Sequence, residues 1–285
     1  MRLRRRNANA LVLVLVAGLF AQGPRQLRPG FNLFSRDQDI QLGREAAIEI
    51  EKQVVVLNDP ELEAYVRRIG ERLAATPEAA GFPYSFKIVH DTSVNAFALP
   101  GGPTYLHTGL LAAADNEAQV AGVVAHEIAH VALRHGTNQL SKANLIQLPA
   151  ILAIWAAERK GSLWGQVAQL GVGLGVNSVL LKYSRDAERD ADLLGTRMMA
   201  RVGYDPVEMA RFFEKLEASG GSRVLQFFSS HPNPGNRVKA VQAELQYLPA
   251  GPYTKGDARE FERIKRRVAA LPEPPKPMKT ASPQR

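Results

Sequence analysis

Residues 123–135, VVAHEIAHVALRH, constrain this chain more than any other stretch. The run is too continuously apolar for an exposed helix, yet it carries two imidazoles and a carboxylate. Burying such groups without partners costs on the order of several kcal/mol. His126 and His130 stand four apart, so on a helix they leave one face about one turn apart. Two imidazoles at that spacing can hold one zinc ion. Glu127 points about 100° around the helix, beside such an ion rather than on it. That is where a base acting on an activated water belongs.

Such a site needs a third protein ligand. A histidine ten residues after the first does not supply it, because position 136 is Gly136. His135 is one residue off that register and reads as a helix-end or surface group. The acidic stretch SRDAERDADLLG (184–195) offers Glu188 and Asp192, four apart and on one helical face. One of the two can ligate the ion. The other can accept the second N–H of a ligand histidine and so fix its tautomer. Asp186 and Asp190 lie on other faces, free to pair with Arg185, Arg189 or solvent.

The remaining sequence gives these helices a setting. Arg2, Arg4, Arg5 and Arg6 precede an apolar run from Ala8 to Ala21, so residues 1–21 read as a secretory signal or an uncleaved anchor. Residues 22–34 hold Gly and Pro without periodicity and read as a linker. Ser35 with Gln38 forms a capping box that opens a helix whose apolar pattern runs to Val54. Asp59–Pro60 starts a second helix with Leu62, Tyr65, Val66, Ile69 and Leu73 on its apolar face. Strands are expected at 84–90, 94–102 and 103–107. Helices are expected at 116–135, 137–158, 164–181, 184–202, 206–218, 236–247 and 258–270. The five prolines of 272–285 mark a disordered tail. The fold class is therefore α+β, mostly helical, with a small β-sheet.

Composition removes several alternatives. With no cysteine, a disulfide scaffold, a thiol nucleophile and a cysteine-ligated zinc site are excluded. The net charge of +8 comes largely from the four N-terminal arginines and a net two charges in the tail, leaving about +2 on residues 22–271. A nucleic-acid-binding face is not indicated. No internal run reaches 18 uninterrupted apolar residues. The apolar stretches 145–157 and 164–181 read as a helical hairpin that covers the cleft or rests peripherally on a membrane.

Residues 35–240 resemble the gluzincin zinc metallopeptidases, the family that includes HtpX, BepA, LoiP and the CAAX prenyl endopeptidases. HEIAH (126–130), ERDAD (188–192), NAFALPGG (95–102) and SSHPNPGNRV (229–238) carry the resemblance, in the family's order. It implies a zincin-like metallopeptidase domain over 35–271, built on the HExxH helix, with one zinc ion per chain. His126, His130 and Glu188 would bind the metal, Glu127 would be base and then acid, and Asp192 would orient a ligand histidine. His231 would reach the zinc as a fourth ligand or stabilise the tetrahedral intermediate; as a residue before Pro232 it also reads as a helix cap. Arg237 would pair with the acidic helix.

The segment Asn95, Ala96, Phe97 is expected to bind substrate, because an edge strand accepts an extended peptide by backbone hydrogen bonds. Where BepA-like members carry helical repeats after the peptidase, this sequence carries proline; LoiP-like members have a lipidated cysteine that it lacks. The expected function is an exported zinc endopeptidase of the periplasm or cell envelope. It would cut unfolded, misassembled or membrane-associated polypeptides in protein quality control. The alternative is a zinc-bound, largely latent, chaperone-like protein that binds misfolded clients.

Overall fold

The structure is a computed structural model that describes residues 25–142 and 183–275. The expected signal segment 1–21, the apolar hairpin 145–181 and the end of the proline-rich tail lie outside the described residues.

Helix α1 (Arg36–Glu51) begins where the capping box places it: Ser35 Oγ accepts from the Gln38 N–H, and Gln38 Oε1 accepts from the Ser35 N–H at 2.8 Å. Helix α2 (Pro60–Ala74) is capped by Asp59, which accepts from Glu61 and Leu62. Leu62, Tyr65, Val66, Ile69 and Leu73 are all buried, as their three-and-four spacing requires.

Strands β1 (Ser85–Val89), β2 (Ala96–Ala98) and β3 (Pro103–His107) form one sheet in the order β1–β3–β2. β3 runs parallel to β1, with Lys87 opposite Tyr105, and antiparallel to β2, with Phe97 opposite Tyr105. β2 is shorter than the expected 94–102 because Leu99–Gly102 is a turn. There the Gly102 N–H donates to the Leu99 carbonyl and Gly101 takes φ 77°. A Cβ on Gly101 would stand 2.4 Å from the Ile40 Cα, so this turn seats directly on α1.

Helix α3 (Thr108–Ala113) was not anticipated; it is too short for its periodicity to register. Helix α4 (Glu117–Ala132) follows, buried on every side. The chain then breaks at Arg134, which adopts φ 56°, and resumes as helix over 135–142. After the gap come α5 (Arg185–Arg201), α6 (Val207–Ser219), α7 (Ser222–Ser230), α8 (Arg237–Leu245) and α9 (Ala258–Ala269). Of these only α7 was not expected.

The core gathers around α4, which packs against α5, α6, α2 and the edge strand β2. Two glycines permit close helix–helix approaches here. A Cβ on Gly122 would fall 2.6 Å from Met209 Cβ on α6, and one on Gly195 would fall 3.3 Å from the His126 backbone nitrogen. Residues 25–34 form neither helix nor strand, but they are fastened down. Arg25 pairs with Asp190 at 3.0 Å, Asn32 donates to Thr137 at 2.7 Å, and the Leu33 N–H donates to Ser141 at 2.9 Å. Among the described residues no helix is long and apolar enough to cross a membrane.

Candidate metal centre

Three segments converge at the middle of α4. α4 presents His126, Glu127 and His130; α5 presents Glu188 and Asp192; the end of α7 presents His231. All six are buried. One donor atom from each of His126, His130, Glu188 and His231 lies within 4.8 Å of the others.

The spacings are tight. His126 Nε2 is 3.0 Å from His130 Nε2 and 3.3 Å from both His231 Nδ1 and Glu188 Oε2. Glu188 Oε1 is 3.3 Å from His130 Nε2 and 3.2 Å from His231 Nδ1. Ligand atoms ~2.0–2.1 Å from a tetrahedral ion stand about 3.3–3.4 Å from one another, close to the observed separations.

The donor chemistry fits a cation for two further reasons. His126 Nδ1 lies 3.0 Å from Asp192 Oδ1. With its proton committed there, a neutral His126 turns a lone pair toward the equally crowded Nε2 of His130. Only a proton or a metal resolves that contact. Charge gives the second reason. Three carboxylates, Glu127, Glu188 and Asp192, are buried here, and among the described residues the guanidinium that meets them is that of Arg237, which reaches Glu188 Oε2 and Asp192 Oδ1 at 3.2 Å each. With neutral imidazoles this buried group lacks two positive charges, the amount a divalent ion supplies.

The titration behaviour without a metal agrees. Burial alone would hold the His126 imidazolium down, but the Glu188 and Asp192 carboxylates lift its pKa to about 9. Burial also opposes ionisation of Glu188, and the charges of His231 and His126 overcome it, so that carboxyl falls well below its usual range. Burial pushes His130 well down and Glu127 up. Among the described residues neither oxygen of Glu127 has a hydrogen bond of normal geometry; His231 Nε2 stands 3.5 Å from its Oε1, and the nearby Ala98 backbone favours its charged form. Such a buried carboxylate beside a cation-shaped cluster is prepared to accept a proton from a substrate group.

β2 lies at the sheet edge, against α4. The Leu99 N–H donates to the Pro103 carbonyl and the His107 N–H to the Asn95 carbonyl. In that register the backbone of Asn95 and Phe97 is turned to β3, and the peptide groups of Ala96 and Ala98 are turned away from it. The Phe97 ring stacks on Tyr105 at 4.9 Å.

The structure brings His126, Glu127, His130, Glu188, Asp192, His231 and Arg237 into one cluster. His231 is also the C-cap of α7, its N–H donating to the Phe227 carbonyl, so the cap and the cluster position coexist. Asp186 pairs with Arg189 at 3.1 Å, outside the site.

Two neighbours went unread in the sequence. Tyr183 stacks face-on against His130 at 3.8 Å, and no periodicity marks it. His135, read as a helix-end or surface group, does begin the next helix, but it is half-buried and its Nδ1 lies 2.9 Å from His130 Nδ1. In an unbroken helix five residues rotate by about 140°, which would carry the ring away. The left-handed Arg134 brings it back.

A short mixed sheet alongside a buried helix with this histidine pair, completed by a glutamate from a second helix, is the arrangement of a zincin-like metallopeptidase domain. The chain belongs to peptidase family M48, whose model matches residues 60–245. It is 32% identical over 207 residues to the beta-barrel assembly-enhancing protease of Escherichia coli (strain K12), covering 70% of this chain and 42% of that protein. It is 28% identical over 183 residues to the mitochondrial metalloendopeptidase OMA1 of Schizosaccharomyces pombe, covering 64% and 52%. It is 30% identical over 183 residues to the metalloprotease YcaL of Escherichia coli (strain K12), covering 62% and 70%. The chain thus spans about two fifths of the length of the beta-barrel assembly-enhancing protease it matches.

Proposed function

We propose that this chain is a zinc-dependent endopeptidase, exported to the periplasm or cell envelope, that hydrolyses internal peptide bonds of unfolded or misassembled proteins. The observation that carries the proposal is the buried Glu127 carboxylate, which no side chain among the described residues hydrogen-bonds, beside four converging donor atoms. The names of the relatives read protease, metalloprotease and metalloendopeptidase, and one of them refers to β-barrel assembly. Export rests on the arginine-led apolar segment 1–21, and residues 35–271 are proposed as the peptidase domain.

His126, His130 and Glu188 would hold zinc. When bound, the ion supplies a Lewis acid for the scissile carbonyl and an acidified water. Asp192 keeps the proton of His126 on Nδ1, so that Nε2 faces the ion. Glu127 takes the proton released as water attacks, and then delivers it to the departing amine. The extended substrate would add at the β2 edge through the peptide groups of Ala96 and Ala98, with Asn95 and Phe97 in the same strand. Pairing by backbone alone selects segments that are not already folded.

His231 favours a second reading. Its Nδ1 lies among the ligand atoms, and a fourth protein ligand there closes the position that water needs. In that state the protein is latent and acts as a chaperone-like client binder. With His231 withdrawn from the ion, its Nε2 side toward Glu127 is free to stabilise the oxyanion.

The test is zinc content together with cleavage of an unfolded polypeptide, in the wild type and Glu127→Gln. About one zinc per chain and cleavage lost in the variant supports the endopeptidase. Zinc without cleavage in either protein supports the latent reading. No zinc after metal is added back overturns both.

A further inference from the structure

We infer that His135 is a positioning residue that holds His130 in its metal-binding tautomer, and that the left-handed turn at Arg134 exists to put it there. The inference rests on His130 being a metal ligand.

His130 turns Nε2 toward the cluster, 3.0 Å from His126 Nε2 and 3.3 Å from Glu188 Oε1. Its other nitrogen, Nδ1, meets the Nδ1 of His135 at 2.9 Å, with the rings at 71° and their centres 5.0 Å apart. One proton lies between those nitrogens. If His135 holds it, a neutral His130 carries its own proton on Nε2 and cannot ligate. If His130 holds it, Nε2 is a lone pair aimed at the ion. His135 must therefore be the acceptor, with its own proton on Nε2.

Four contacts enforce the arrangement. Arg134 sits at φ 56°, a conformation that a non-glycine side chain adopts at a cost of about 1 kcal/mol or more. Its guanidinium holds it there, donating to Asp39 Oδ2 and to the Phe34 carbonyl at 2.5 Å each. Its carbonyl accepts from the Asn138 N–H at 2.9 Å, which starts the next helix and fixes the direction of His135. On the face of the His130 ring, Tyr183 stacks at 3.8 Å, so the imidazole cannot swing to another acceptor.

The two ligand histidines are thus supported differently. His126 rests on the carboxylate of Asp192, and His130 rests on a neutral imidazole. A carboxylate raises the basicity of its histidine more than an imidazole does, so geometry rather than added charge is what His135 contributes.

Zinc titration of the full, metal-stripped chain against a chromophoric chelator tests this, in the wild type, His135→Gln and His135→Met. Glutamine offers an oxygen that can accept the same proton, and methionine fills similar space as a far weaker acceptor. The expected result is zinc affinity about 10- to 100-fold weaker in His135→Met and within about threefold of wild type in His135→Gln. Thermal unfolding of the metal-free variants separates this from a folding defect; if His135→Met does not fold, His135→Leu replaces it. Nitrogen-detected NMR of the zinc-loaded wild type should show the His130 proton on Nδ1. Equal affinity in the apolar variant, or equal loss in both variants, overturns the inference while leaving the metal site intact. Failure of the wild type itself to take up zinc would remove the metal site, and this inference with it.

Discussion

Arg237, the first residue of α8, bridges two of the four acidic residues of α5, donating to Glu188 Oε2 and Asp192 Oδ1 at 3.2 Å each while its guanidinium lies 4.2 Å above the Phe213 ring. One buried cation therefore ties a proposed metal ligand to the group that orients another. Without it, three carboxylates share a site in which a bound metal or a protonated His126 is the compensation left among the described residues. Arg237→Gln should lower the unfolding free energy of the metal-free protein by ~3–5 kcal/mol and that of the zinc-loaded protein by less. Denaturant unfolding with and without zinc checks this; equal losses in both states would separate Arg237 from the metal site.

Glu127→Gln would remove the proposed proton acceptor and leave the donor cluster in place. Zinc content should stay at the wild-type level while peptide hydrolysis drops by ~10² or more. Metal analysis beside a cleavage assay decides it, and a variant that stays active would assign the base elsewhere.

Asp192→Asn keeps the size of the side chain that meets His126 Nδ1 but takes away its charge. It should weaken zinc binding by about 10- to 100-fold and leave Glu127 in place. Chelator competition is the measurement. Unchanged affinity would mean that Asp192 only packs against the site.

Glu208 supplies a pH dependence remote from the metal. Burial would raise its carboxyl, but hydrogen bonds from Asn116, Lys255, Arg211 and Gln119 bring it down to about 2. The folded-state value is depressed, so the stabilisation is present above the unfolded value of ~4.3 and is lost as pH falls toward 2. Urea unfolding at pH 7 and pH 3 should show Glu208→Gln with a smaller loss on acidification than the wild type. Identical losses would contradict the assignment.

Gly122 lets α6 touch the helix that carries the histidines. Gly122→Ala would place a methyl 2.8 Å from the Met209 Cα, so one helix must move. A destabilisation of ~1–3 kcal/mol is expected, read as a lower melting temperature. An unchanged melting temperature would show that α4 and α6 can separate freely.

Much of this protein is legible locally. The cap pairs Ser35–Gln38 and Asp59–Pro60, the buried stripe of α2 and the spacing of His126 and His130 each depend on residues within a turn or two. A sequence displays such relations directly. The candidate site was legible at its motif-bearing positions. Glu188 and Asp192 declared themselves by sharing a face, although spacing alone left open which of them meets the ion. Distances settle the pairing: Asp192 meets His126 Nδ1, and Glu188 meets the Nε2 atoms.

The amino-acid order by itself therefore determined the described helices other than α3 and α7, the strand near NAFALPGG and the set of groups able to bind a metal. The tertiary structure decided which of them meet. It set β3 parallel to β1, used the C-cap of α7 to carry His231 to helices 43 and more residues away, and laid Tyr183 on His130. It also returned His135 to its neighbour through one left-handed residue. The physical reason is range. Periodicity and capping act over a few residues, whereas these contacts follow from close helix packing at Gly122 and Gly195 and from a backbone reversal held by Asp39 on another helix.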